Sequence, residues 1–446
     1  MTADVSSTER PPRVLLVAEA ANPEWTSVPL VGWSHCEALR EVADAHVVTQ
    51  VRNREAIERA GWREGEEFTA IDSETVARVL YWLDTAVRKR TGLGWTFTTA
   101  LGSAAYPEFE RKLWKRFGPA IRAGAYDLVH RVTPLSPTTP STVLAPRLAQ
   151  AGVPFVWGPI NGGVAWPPGF GDVQRAEGEW LAYVRGAHRF LPGFRATRRS
   201  AAAIIAGSEA TWAQLEGHHA RCVYVPENAV DPARFTERAE PFGAEPLRVA
   251  FVGRLVPYKG ADMLIEAAAP LVKAGRLTLD IIGDGPEMER LKAMRGPDLE
   301  AGIELPGFIP HAELQARLAR AHVLGFPSVR EFGGAVALEA MALGVVPVVV
   351  GYAGPNELVS DATGVRVPVG PRASIVQGFR RAFEELLDAP ERLASMAEAG
   401  RHRVEEHFTW RAKARQTLEV YRWVLGRRDK PDFGMPFPDA ERSASA

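Results

Sequence analysis

Short apolar runs alternate with longer helical stretches along this chain. The alternation runs through twice, with a proline-punctuated break between the two passes. In the first pass Val14–Ala18, His46–Val51, Leu128–Val132, Phe155–Trp157 and Ala203–Ala206 read as strands. Each is short and largely apolar, as expected of a strand covered on both faces. Val76–Lys89 and Glu108–Arg122 read as helices between them. After the break, Leu247–Val252, Leu277–Ile282, Ile303–Leu305, Val323–Phe326 and Val346–Val350 repeat the pattern. Two successive β-α-β series predict an α/β fold with two Rossmann-like, doubly wound parallel-sheet domains facing a cleft. Ligands of such sheets bind at the carboxyl ends of strands, so the cleft is the expected site.

The boundaries follow. Residues 1–12 form a flexible lead, 13–226 a first domain, 227–246 a linker and 247–409 a second domain. A last helix over 410–426 is free to pack back on the first domain, and 427–446 is a flexible tail. A length of 446 residues suits two cores. The net charge of −1 exerts no global pull on nucleic acid, which is not an expected partner. Only Cys36 and Cys222 are present, without metal-ligand spacing, so a reducing compartment suits the chain. The lead lacks a signal-peptide pattern and no apolar run reaches ~18 residues. A cytoplasmic protein is expected.

Two loops carry charge in a pattern that suggests chemistry. Gly253 follows a strand, and Arg254 and Lys259 place two cations just beyond it. A diphosphate leaving group needs such cations, because negative charge builds on it as its bond to a sugar breaks. Taken alone, the segment is as readily a solvated basic turn. In the second loop, Glu331-Phe332-Gly333-Gly334 follows another strand and opens a helix over Ala335–Leu343. Glycines there free the first backbone N–H groups, and a helix start favours phosphate. Glu331 can accept hydrogen bonds from sugar hydroxyls. Glu339, among apolar neighbours in an expected buried helix, can reach a pair of ribose hydroxyls or serve a structural ion pair.

With Glu-Ala-Met-Ala-x-Gly-x-x-Pro at 339–347, these residues resemble the retaining family 4 glycosyltransferases of GT-B fold. Gly283-Asp284-Gly285-Pro286, Pro306-Gly307-Phe308-Ile309-Pro310, Asn356-Glu357-Leu358-Val359 and Thr363-Gly364 are similar too, in the family's order. The resemblance covers about Leu247 to Phe408. It implies a hexosyltransferase with a nucleotide-diphosphate sugar donor, UDP- or GDP-linked, and a glycan acceptor; basic clusters in the first half add the expectation that this acceptor is lipid-linked. By resemblance, Arg254, Lys259, Gly333 and Gly334 hold the diphosphate, and Glu331, Phe332 and Gly333 meet the sugar. Glu339, Phe308, Ile309 and Gly283 meet the ribose and base. Glu331, Arg254 and Lys259 would carry the catalysis.

The first half resembles the family less. Asn228-Ala229-Val230-Asp231 departs from the usual Asn-Gly-Val-Asp, and the region where the family often carries a histidine reads Gly158-Pro159-Ile160-Asn161-Gly162-Gly163. Candidates for the acceptor side are Gly32, His130, Asn161 and Gly162, with His130 equally at home as a packed strand histidine. No Asp-x-Asp occurs, so no metal and no other cofactor is expected. Between Trp180 and Ser208 there is no acidic residue, and Arg185, Arg189, Arg195, Arg198 and Arg199 mix with Phe190, Leu191 and Phe194. Arg111–Phe117 mixes bases and rings similarly. Such clusters suit peripheral contact with an anionic inner membrane face, and equally a solvated helix face or a phosphate groove. A GT-B sugar-nucleotide epimerase or hydrolase and a non-catalytic sugar-nucleotide-binding protein stay open. A dinucleotide oxidoreductase does not, since Gly283-x-Gly285 lacks the third glycine.

Overall fold

A computed structural model describes residues 9–73, 95–176, 193–243 and 245–435. The expected helix Val76–Lys89 lies outside them. In the first domain the strands are β1 (Arg13–Ala18), β2 (Asp44–Gln50), β3 (Phe68–Ile71), β4 (Leu128–Thr133), β5 (Phe155–Ile160), β6 (Ala203–Ala206) and β7 (Cys222–Tyr224). They form one parallel sheet in the order β3-β2-β1-β4-β5-β6-β7. The second domain holds β8 (Leu247–Val252), β9 (Leu277–Ile282), β10 (Ile303–Gly307), β11 (Val323–Phe326), β12 (Val346–Gly351) and β13 (Val365–Pro368). Its order is β10-β9-β8-β11-β12-β13, also parallel.

Both sheets are covered on two faces, which explains the unbroken apolar runs. On the first sheet Val14 and Leu16 face one core and Leu15 and Val17 the other. Val348, Val349 and Val350 of β12 are all fully buried. Each such side chain contributes roughly 1.5–3 kcal/mol relative to exposure. The expected helix Glu108–Arg122 is the end of a longer one, Trp95–Arg122. β3, β7 and β13 were not expected. They are edge strands of three or four residues, too short to announce a period.

Two boundaries need correction. The expected linker 227–246 is largely part of the second domain, because Phe235, Ala239 and Phe242 pack on its core. Ala239 N also donates to the Leu343 carbonyl at 2.8 Å. The crossing itself lies near Val230, whose N–H donates to the Phe408 carbonyl at 2.8 Å while Trp410 N donates back to the Val230 carbonyl at 3.3 Å. The chain thus leaves and re-enters the first domain at one place. The expected mobile ends are also tied down over their described parts. Glu9 pairs with Arg422 and Arg427, Lys430 Nζ donates to the His219 carbonyl, and Met435 is buried.

The helix Trp410–Val424 begins where Thr409 Oγ1 accepts from Ala412 N at 3.1 Å, a side-chain N-cap. It lies against Val28–Arg40 and adds Ala414, Val420 and Tyr421 to the core containing Val14 and Leu16. Its polar contacts reach two buried histidines. His35 Nε2 is 3.2 Å from Thr417 Oγ1. His130 Nε2 is 2.5 Å from the Gly158 carbonyl, so that nitrogen carries the proton and Nδ1 accepts from Tyr421 Oη at 2.6 Å. Tyr421→Phe should therefore leave a buried acceptor unpaired and lower unfolding free energy by about 1–3 kcal/mol, read from urea melts.

Candidate functional site

In both sheets the strand order reverses beside the first strand, between β1 and β4 and between β8 and β11. Connections leave to opposite faces there, so a crevice opens at the strand ends. Arg254 and Lys259 follow β8, and Glu331 to Gly334 follow β11. The two charged loops therefore flank the switch point of the second sheet. Lys259 Nζ and Glu331 Oε2 form an ion pair across it, and the ammonium also lies 5.0 Å from the Phe326 ring centroid. Arg254 is exposed and has no ion-pair partner among the described residues.

Glycines let these loops approach one another. A Cβ on Gly283 would overlap the Gly253 carbonyl oxygen, and one on Gly285 the Leu255 carbonyl. Gly283 and Gly285 thus seat the loop after β9 on the loop bearing Arg254. Gly334, at φ 65°, starts the helix Ala335–Leu343, and Gly344, at φ 84°, ends it. A Cβ on Gly333 would collide with Asn228 Nδ2 and Glu227 Oε1 of the crossing segment. Phe332 is 39% exposed, and the Arg330 guanidinium sits between its ring and that of Trp166, at 5.3 and 4.9 Å. Phe308 is 75% exposed beside the half-buried Ile309. Glu339 is half-buried rather than buried, because it lies on the helix face it shares with the half-buried Ala335, Val336 and Ala342.

The facing wall comes from the first domain. Asn161, just past β5, donates from Nδ2 to Glu227 Oε1 at 2.5 Å and to the Phe332 carbonyl at 3.3 Å. Gly162 N donates to Thr211 Oγ1 at 3.2 Å, and Tyr352 Oη donates to the Ala165 carbonyl at 2.9 Å. Gly32 lies at the start of the helix after β1, where a Cβ would strike the Ala20 carbonyl. His130 takes no part in this wall: it is fully buried with both ring nitrogens engaged, and burial holds it down to about 4.

Three groups that the sequence did not single out for a role lie where the domains meet. Glu357 accepts from Glu209 N at 2.9 Å and from Tyr224 Oη at 2.5 Å, both of the first domain. Burial pushes its carboxyl up to about 8. Glu227 is 7% exposed and burial pushes it up to about 7, against the hydrogen bond from Asn161. Lys413, 1% exposed, is driven down to about 7 by burial, and its Nζ lies 4.6 Å from the Phe408 ring. Glu357 stood inside a recognisable motif, but nothing in the sequence revealed what it would touch.

The basic clusters need correction. Phe194 and Arg198 are buried, the guanidinium 3.4 Å from the Phe194 ring centroid, and Leu113 and Phe117 are core residues. Helical period turns the apolar residues inward, so Lys115, Arg116, Arg195 and Arg199 are exposed while Phe117 and Phe194 are buried. Arg185, Arg189, Phe190 and Leu191 lie outside the described residues. No described helix is long and apolar enough to cross a membrane.

Residues 234–403 match the family model described as Glycosyl transferases group 1. A GDP-mannose-dependent alpha-(1-6)-phosphatidylinositol monomannoside mannosyltransferase of Mycolicibacterium smegmatis is 37% identical over 216 residues, 45% of this chain and 54% of that protein. A 2-deoxystreptamine glucosyltransferase of Streptomyces kanamyceticus is 31% identical over 249 residues, 51% of this chain and 62% of that protein. The chain spans about half the length of the curated relatives it matches. Among solved structures, Anabaena HepE in complex with UDP superposes with a TM-score of 0.59 at 17% identity, covering 92% of this chain and 99% of that one. That likeness, with the two parallel sheets, shows a GT-B fold.

The junction carboxyls make stability pH-dependent. A carboxyl raised by folding stabilises fully below its unfolded value and loses that contribution as pH rises through the folded value. For Glu357 the window runs from its ordinary 4.5 to about 8. Glu357→Gln should therefore gain stability relative to the wild type as pH rises from 5 to 8. Parallel urea melts check this, and a pH-independent difference would contradict it.

Proposed function

We propose that this chain is a retaining glycosyltransferase that moves a hexose from a nucleotide-diphosphate sugar to a glycan acceptor without a metal. The observation that carries the reading is the Lys259–Glu331 pair, set across a switch point beside the Gly334 helix start and the exposed Arg254. An anionic diphosphate entering there meets Arg254, Lys259 and the free N–H groups of Gly333 and Gly334. Lys259 then exchanges Glu331 for phosphate, and Glu331 turns to the sugar hydroxyls. Glu339 meets the ribose, while Phe308 and Ile309 border the base.

With cations and a helix start opposing the leaving-group charge, turnover should survive EDTA. Retention rests on resemblance to the family. The acceptor lies against Asn161, Gly162 and the start of the Gly32 helix. A lipid-linked acceptor at the inner face of a membrane is supported only by exposed Lys115, Arg116, Arg195 and Arg199. Exposed charge makes that contact salt-sensitive.

A screen of UDP- and GDP-sugars, by binding and by slow donor hydrolysis, tests the reading. Absence of binding to any of them would overturn it. Once a donor is found, Arg254→Ala and Lys259→Ala should each lower kcat by about 10²–10³-fold, as loss of one charge-stabilising donor does. Near wild-type rates in both would remove the leaving-group role. NMR of the product anomer settles retention against inversion.

A further inference from the structure

Glu227 belongs to neither charged loop, yet it is wedged between the two domains. Side chains on Gly207 of the first domain and Gly333 of the second would both strike its carboxylate. Its Oε1 receives one amide hydrogen of Asn161, and the Phe332 carbonyl, in the loop proposed to hold the sugar, receives the other. Two acceptors at one end of an amide identify that end as nitrogen, which fixes the orientation of the group. The backbone beneath is held by hydrogen bonds from Asn161 N to the Leu135 carbonyl at 2.9 Å and from Gly207 N to the Ile160 carbonyl at 2.7 Å. The other end of the amide, Asn161 Oδ1, is buried without a hydrogen-bond partner.

With that oxygen shut off from the cleft, the amide acts through its nitrogen, which bridges the Glu227 carboxylate and the Phe332 carbonyl. We propose that Glu227 is a positioning residue for transfer: by holding the Asn161 amide from behind, it aims the second Nδ2 hydrogen at the Phe332 carbonyl and so fixes the loop Glu331–Gly334 against the first domain. The inference rests on the glycosyltransferase reading above and assigns Glu227 no contact with substrate. Its closeness to Gly333 also ties the amide to the loop proposed to hold the sugar.

The test measures kcat and donor KM of the full chain with whichever nucleotide sugar the screen identifies. Glu227→Ala and Asn161→Ala should each lower kcat by about a hundredfold, the scale of a misplaced reacting group, with donor KM little changed. Glu227→Asp keeps the charge but draws the carboxylate back by one methylene, and should lose activity likewise. Glu227→Gln keeps an oxygen for Asn161 Nδ2 and should recover most of the rate. The double variant Glu227→Ala/Asn161→Ala should be no slower than Asn161→Ala, because the two act as one unit. Multiplied losses, or a Gln variant as slow as the Ala variant, would overturn the inference while leaving the transferase reading intact. A wild-type chain that turns over no nucleotide sugar would overturn both.

Discussion

A parallel sheet wound outward in two directions from one strand has a single place where neighbouring connections part. In the second domain that place lies between β8 and β11, and the two charged loops stand on either side of it. Arg254 and Lys259 arrive from one side and Glu331 from the other, and the Lys259–Glu331 pair closes the gap. Neither loop could come so near without glycine. Gly283 and Gly285 let the loop after β9 lie backbone to backbone on the Arg254 loop, and Gly333 yields its side-chain space to Glu227 and Asn228. The site is therefore a consequence of sheet winding, refined where a Cβ is missing.

The domain junction is unusual in its ionisable content. Glu227, Glu357 and Lys413 are all withdrawn from water, and burial pushes each toward its uncharged form. Burying such groups is costly unless they are hydrogen-bonded. Glu357 is met by Tyr224 and a backbone N–H, and Glu227 by Asn161. These partners come from across the junction or from the crossing segment, so the two carboxyls are hydrogen-bonded only when the domains are seated as they are, while Lys413 Nζ has the Phe408 ring and no hydrogen-bond partner. A hydrophobic seam would hold equally well in several registers. This one has a single register in which the hydrogen bonds are made.

The alternation of short apolar runs was enough to read the central strands of both sheets and their parallel winding. Burial on two faces leaves that mark on β1, β4, β8, β11 and β12. Edge strands such as Cys222–Tyr224 and Val365–Pro368 leave almost none, since three or four residues show no period. The charged loops were legible because glycine, cation and carboxylate fall at fixed offsets after a strand. Side-chain direction was not. Phe194 and Arg198 looked like surface residues in a basic stretch, and helical period turned both inward. Glu227 was silent for another reason: its environment is made by Asn161, Gly207 and Gly333, which are far apart along the chain.

The helix Trp410–Val424 belongs to the first core in space and follows the second domain in sequence. A ribosome delivers residues in order, at roughly 5–20 per second, and domains tend to fold as they emerge. The first sheet therefore emerges with Val14, Leu16 and Leu39 short of one wall, and His130 short of its Tyr421 hydroxyl. That wall arrives only after every strand of the second domain has been made. The second domain is complete once Phe408 has emerged, whereas the first waits for the last helix. The half that is synthesised first is thus the half that finishes folding last.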